Sequence, residues 1–275
     1  MSEPRDKSPE SSSVTSSMPQ ILTAEQRALY REVLLVLEEH HTPYAVSGAF
    51  ALREYTGISR MTKDLDVFLT AENASIALDY LRNAGFECEV RDPVWLSKAH
   101  RDGFFVDLIT GMSNGVIVVD PSWIERAHPA EIVGIKTRVL APEELLCSKI
   151  FVTRRERFDG ADIAHVIYGT RGQIDWNRVM TVVGEHWEML LWALMFFRYA
   201  YPAQTNYVPA SLWQDLIGRL IIATTQNNPD ARFRGSLVDD NMFSIDLHEW
   251  GLDNILEEYR SKRLSKISPV SDLCA

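Results

Sequence analysis

Asp64 and Asp66 stand two residues apart in the run Asp-Leu-Asp-Val-Phe-Leu (64–69). A segment dominated by Leu, Val and Phe suits a buried strand, and this spacing on a strand sends both carboxylates out of one face. Two acids side by side repel each other, so a divalent cation is the natural occupant of the pair. A third acid, Asp107, interrupts the apolar run Phe-Phe-Val-Asp-Leu-Ile (104–109). A lone carboxylate in such company either lies on an exposed face, pairs with a lysine such as Lys98, or joins the first two.

Upstream of the acid pair, residues 43–48 read as a short strand ending in small residues, and 49–56 as a helix stopped by Gly57. Such a turn presents backbone amides at a helix N-terminus, where Ser47 or Gly48 allows close approach and the helix dipole suits phosphate. Strand-turn-helix junctions with glycine also arise for packing alone.

The elements that must hold these residues follow from periodicity. Thr23-Ala-Glu-Gln26 has capping-box spacing and opens an amphipathic helix over 24–40. A helix is predicted over 71–83, then a strand over 86–91. Two further strands, 95–100 and 104–109, are joined through Asp102-Gly103, a strong hairpin signal. Strands are predicted at 115–119 and 131–140, with a short helix at 123–127 between them. Pro142-Glu-Glu starts a helix expected to run to about Arg155. Helices then follow to Tyr168, from Asp175, over 186–200 and over 210–224. Asp159 and Asp162 fit an N-cap and a first-turn acid. Trp187, Met189, Trp192, Met195 and Phe196 form a helical stripe expected in the core.

The chain of 275 residues is 46% hydrophobic and 24% charged, an ordinary globular balance. Its formal net charge of -10 argues against holding nucleic acid by bulk electrostatics. Cys88, Cys147 and Cys274 have no metal-type spacing and suit free thiols in a reducing compartment. No pair of histidines has metal-ligand spacing. Residues 1–20, with seven serines and three prolines, read as a disordered tail without a signal-peptide core. The longest apolar run, 189–197, is about half the length a spanning helix needs. A cytoplasmic protein with no membrane partner is expected.

Val46-Ser-Gly-Ala49, Arg60 with Thr62-Lys-Asp-Leu-Asp66, the strand Phe105-Val-Asp-Leu108 and Pro142-Glu-Glu-Leu-Leu-Cys-Ser-Lys149 resemble the minimal nucleotidyltransferases of the DNA polymerase β superfamily, including antibiotic- and toxin-type members. The resemblance spans roughly residues 24–168. It implies an α+β nucleotidyltransferase fold, a small mixed sheet flanked by helices and followed by a helical C-terminal region. The expected units are a catalytic domain at 21–141, a helical region at 142–227 and an irregular segment at 228–275.

The resemblance further implies an Mg²⁺-dependent transfer of an NMP from an NTP such as ATP onto a hydroxyl. Asp64, Asp66 and Asp107 would hold two Mg²⁺ ions, with Mn²⁺ as the alternative metal, and Asp107 would serve as base. Ser47 and Gly48 would cradle the β and γ phosphates, while Lys149, Arg60 and Lys63 would offset charge on the leaving pyrophosphate. By spacing alone Lys149 equally suits a solvated helix face, and Arg60 and Lys63 a wet loop. The acceptor is expected to be a small molecule. A tRNA, a protein side chain, or a non-catalytic nucleotide-sensing or partner-binding role are the alternatives.

Overall fold

The computed structural model describes residues 22–226 and 228–267; the tail expected at 1–20 and Cys274 lie outside them. Thr23 closes the predicted capping box with Gln26, 3.1 Å each way, and starts α1 (Ala24–Glu39). The chain then runs through β1 (Ala45–Val46), α2 (Gly48–Thr56) and β2 (Asp64–Phe68). Thr70 caps α3 (Ala71–Asn83), which leads to β3 (Glu87–Asp92). The hairpin β4 (Leu96–Arg101) to β5 (Phe104–Ile109) turns at Asp102 and Gly103, both at positive φ as a tight two-residue turn requires.

Gly115–Val119 does not form the expected strand; only an isolated bridge from Gly111 to Val118 is made there. After α4 (Pro121–Glu125), the single strand expected over 131–140 is instead a hairpin, β6 (His128–Ile132) and β7 (Ile135–Val139). Its turn places Val133 at φ 46° and Gly134 at φ 80°. A β-branched residue rarely adopts the left-handed region, which hides this turn from a sequence reading.

The helix from Pro142 is also shorter than expected. α5 (Pro142–Ile150) stops five residues before Arg155, and the chain folds into the small hairpin β8 (Thr153–Arg154) and β9 (Arg157–Phe158). Phe158 there meets Trp192 and Phe196 at 5.5 and 5.3 Å between ring centroids. Helices α6 (Gly160–Gly169), α7 (Trp176–Val183), α8 (Trp187–Ala200) and α9 (Ala210–Thr225) follow, then α10 (Gly235–Asp239), α11 (Ser244–His248) and α12 (Ile255–Leu264). The buried face of α8 is Leu190, Leu191, Leu194 and Phe197, whereas Trp192 and Met195 of the expected core stripe are exposed. No helix among the described residues is long and apolar enough to cross a membrane.

The α+β architecture expected from the sequence is present, with one seven-stranded mixed sheet in the order β3-β4-β5-β2-β1-β7-β6. β2 runs parallel to β5 and β1 parallel to β7, and the other neighbours are antiparallel. Leu65 and Val67 are fully buried, while Asp64 and Asp66 alternate onto the more open side of the strand. α5 is buried along its whole length. Its Glu144, with no exposed side-chain surface, takes Arg178 Nε of α7 at 2.8 Å and Arg126 Nε at 3.3 Å. Its neighbour Glu143 accepts the Asp175 amide at 2.7 Å.

Removing one member of a buried ion cluster strands the others. Glu144→Ala is expected to destabilise the fold by about 3 kcal/mol, measured as a lowered midpoint in urea unfolding.

Candidate functional site

The register of β2 on β5 sets Asp66 directly opposite Asp107, with Asp64 two residues earlier on the same side. One carboxylate oxygen from each of the three acids lies within 4.8 Å of the others. Thr62 Oγ1 donates to Asp64 Oδ1 at 2.9 Å. Lys98, opposite Asp107 in the β4–β5 register, donates from Nζ to Asp107 Oδ1 at 2.6 Å and lies 4.1 Å from the centre of the Phe105 ring. Asp107 therefore does two of the things its sequence context allowed: it pairs with Lys98 and it joins the acid pair.

Burial, then the charges of Asp64 and Asp107, push the Asp66 carboxyl up from an ordinary 3.8 to about 7. Asp107 is also raised, chiefly by burial, against the opposing hydrogen bond from Lys98. The donor set is three hard carboxylates with neither His nor Cys, which fits a hard divalent cation such as Mg²⁺ or Mn²⁺.

The small-residue turn is built into this cluster. The Ser47 amide donates to the Asp66 carbonyl at 2.8 Å, and α2 begins at Gly48 with no side-chain cap from Ser47. The first amides of α2 are consequently left without a side-chain partner beside the acids. Gly48 has φ +59°, and a Cβ on it would stand 1.9 Å from Asp66 Oδ2. Only glycine satisfies both the backbone and the space.

A cleft of about 590 Å³ collects Ser47, Gly48, Arg60, Lys63, Lys149 and the three acids along one wall system. Lys63 is exposed at its edge. Lys149 is buried, and its Nζ meets Asp159 at 3.0 Å and Asp162 at 2.8 Å. Arg60 forms a two-pronged bond to Asp162, 2.8 Å at each oxygen. Arg157 does the same to Asp159 at 3.0 Å. The result is an alternating row, Arg60–Asp162–Lys149–Asp159–Arg157. Burial raises both aspartates, but the row's cations outweigh it and hold each below its ordinary value.

Asp159 occupies the N-cap position of α6 but makes no capping bond, so the structure replaces the expected cap with ion pairing. Arg157 and Trp95 also line the cleft, and no sequence pattern marks either of them for it.

A family described as "Nucleotidyl transferase of unknown function (DUF2204)" matches residues 26–188. No curated protein matches the sequence. Similar solved structures include the antibiotic-resistance factor ANT(2'')-Ia at 16% identity, covering 68% of this chain and 98% of that one, TM-score 0.41. The lincosamide antibiotic adenylyltransferase LnuA follows at 17% identity, 52% and 95% coverage and TM-score 0.37. A putative nucleotidyltransferase of Thermotoga maritima has 17% identity, 46% and 83% coverage and TM-score 0.36.

Gly48→Ala is expected to cost about 1–2 kcal/mol in backbone strain alone and to displace Asp66, so Mn²⁺ titration calorimetry should show divalent binding lost. A raised carboxyl pKa means that the folded chain keeps a proton the unfolded chain releases. Without metal, the Asp66 contribution to stability should fall as pH rises from about 4 to about 7 and then level off. Asp66→Asn should therefore raise the melting temperature at pH 8, by up to about 4 kcal/mol in stability, and leave it nearly unchanged at pH 4.

Proposed function

Since the chain belongs to the nucleotidyl transferase family DUF2204, we propose that it is a metal-dependent enzyme moving an NMP from an NTP onto a hydroxyl of a small molecule. The observation that carries this reading is the convergence of Asp64, Asp66 and Asp107 beside the uncapped amides of α2. Asp64 and Asp66 would hold the ions, with Asp107 completing the shell from β5. Once bound, two Mg²⁺ or Mn²⁺ ions offset the triphosphate charge and lower the pKa of the acceptor hydroxyl.

The chain's own groups supply the rest. The first amides of α2, from Gly48 on, would receive β and γ phosphate oxygens, while the Ser47 amide, already given to the Asp66 carbonyl, holds the turn against β2. The oxygen of Asp107 not engaged by Lys98 would accept the hydroxyl proton as the acceptor oxygen bonds to the α phosphorus. The bond from that phosphorus to the bridging oxygen breaks, and pyrophosphate leaves with the electron pair. Arg60, Lys63 and Lys149 would offset the charge that grows on it. Because Lys149 and Arg60 are already pinned by Asp162, their role is a fixed field and not a flexible reach.

The acid-bearing part, 21–141, would carry the metals, and the helical region from 142 would add Lys149 and its partners. A cleft of this size suits a nucleotide and a small acceptor together. The formal charge of -10 favours a small acceptor over tRNA, and the free Cys88 and Cys147 agree with a reducing, cytoplasmic setting.

Incubation with each [α-³²P]NTP, Mg²⁺ and a cell extract is expected to transfer label to a low-molecular-mass product. Asp64→Asn should abolish labelling, and Asp107→Asn should reduce it by about 10²–10⁴-fold. Full labelling by Asp64→Asn would sink the mechanism.

A further inference from the structure

The cleft has two unlike ends. Ser47, Gly48 and Lys63 line the end beside β1 and α2, whereas Phe68, Trp95, Ile109 and Met112 line the other, with Arg154 held on Ser113 at its rim. Phe68 and Ile109 follow Asp66 and Asp107 by two residues and face the same way. The apolar floor thus starts roughly 6–7 Å along the strands from the acids.

Trp95 is fixed in this wall by groups far away in sequence. Its Nε1 donates to Asp92 Oδ2 at 3.1 Å, and Arg260 of α12 grips both Asp92 oxygens at 3.0 and 3.1 Å. Those two bonds come from one terminal nitrogen, Nη2, and the second, Nη1, donates to the Ser113 carbonyl at 2.6 Å. Arg263, also on α12, donates to the Thr110 carbonyl at 3.2 Å. Both loops bearing the apolar wall, one with Trp95 and one with Met112, are therefore held by a helix outside the family-matched residues 26–188.

We propose that this apolar end is the acceptor subsite, that it takes a hydroxyl compound with a flat apolar face, and that Arg260 positions it through Asp92 and Trp95. The assignment rests on the transfer reading above. If the triphosphate occupies the α2 end, the acceptor must approach Asp107 from the β4–β5 side, where this wall stands. The indole N–H is already used by Asp92, so the ring offers a face and no hydrogen bond. The charge of Asp92 is matched by Arg260, so it does not call for a cationic acceptor. A highly charged acceptor would lose hydration against Phe68, Ile109 and Met112, and Arg154 beside them is already bonded to the Ser113 hydroxyl.

The test uses the full chain with Mn²⁺, [α-³²P]ATP and a small-molecule fraction of cell extract, comparing wild type, Trp95→Ala, Trp95→Phe, Arg260→Leu and Arg260→Lys. The labelled product should elute later than free AMP from a reversed-phase column. Trp95→Ala and Arg260→Leu should raise the acceptor KM at least tenfold while the KM for ATP stays within twofold. Trp95→Phe and Arg260→Lys should recover part of the loss. A labelled product eluting with or before AMP, or an acceptor KM indifferent to Trp95→Ala, overturns the subsite. An Arg260→Leu variant whose KM for ATP rises in step shows a general loosening and overturns the positioning role. No labelling by wild type fells the transfer reading itself, and this assignment with it.

Discussion

Like charges repel, yet parallel pairing of β2 with β5 brings Asp64, Asp66 and Asp107 within 4.8 Å of one another. Asp66 bears the most of this, lying between two acids and against the backbone of Gly48. Its carboxyl is raised to about 7, so near neutral pH the folded chain holds an acid that favours either a proton or a cation. A fold does not keep such a group for its own stability. The cost becomes an asset when a divalent ion arrives, because relieving the repulsion then adds to binding.

Everything around the acids either tolerates that arrangement or confines it. Gly48 lacks the Cβ that would collide with Asp66. Lys98, braced on Phe105, balances one of the three charges from the neighbouring strand. The row Arg60–Asp162–Lys149–Asp159–Arg157 sets cations along the cleft without leaving any of them loose. Each cation is shared with an aspartate, and three cations against two carboxylates leave the row a formal charge of +1. That suits an anionic ligand that must also leave.

The acid cluster was legible in the sequence because strand periodicity fixes side-chain direction and carboxylates in apolar runs are conspicuous. The α2 junction was legible for the same local reasons, as were the Asp102-Gly103 hairpin and the capping box at Thr23. Features that depend on distant contacts were not. The helix from Pro142 ends early, and Phe158 of the hairpin beyond it packs on Trp192 and Phe196 some 35 residues on. The Val133–Gly134 turn contradicts valine's own preference. Asp92 and Arg260 are separated by 168 positions, and no local pattern links them. Asp159 kept the position of an N-cap but lost the bond, since Lys149 and Arg157 offer its carboxylate more than a backbone amide does.

The irregular C-terminal segment thereby acquires a structural role. Through Arg260, Arg263 and the Leu237 carbonyl that accepts from Asn114, it braces the loops at the apolar end of the cleft. In the proposed reaction the three aspartates and the Gly48 turn form one site for metal and triphosphate. Anomalous diffraction from crystals grown with Mn²⁺ and a non-hydrolysable ATP analogue measures this directly. Mn²⁺ peaks are expected within coordination distance of Asp64 and Asp66, with the triphosphate against the amides that open α2 at Gly48. Mn²⁺ bound elsewhere, or a triphosphate seated away from that turn, would contradict it.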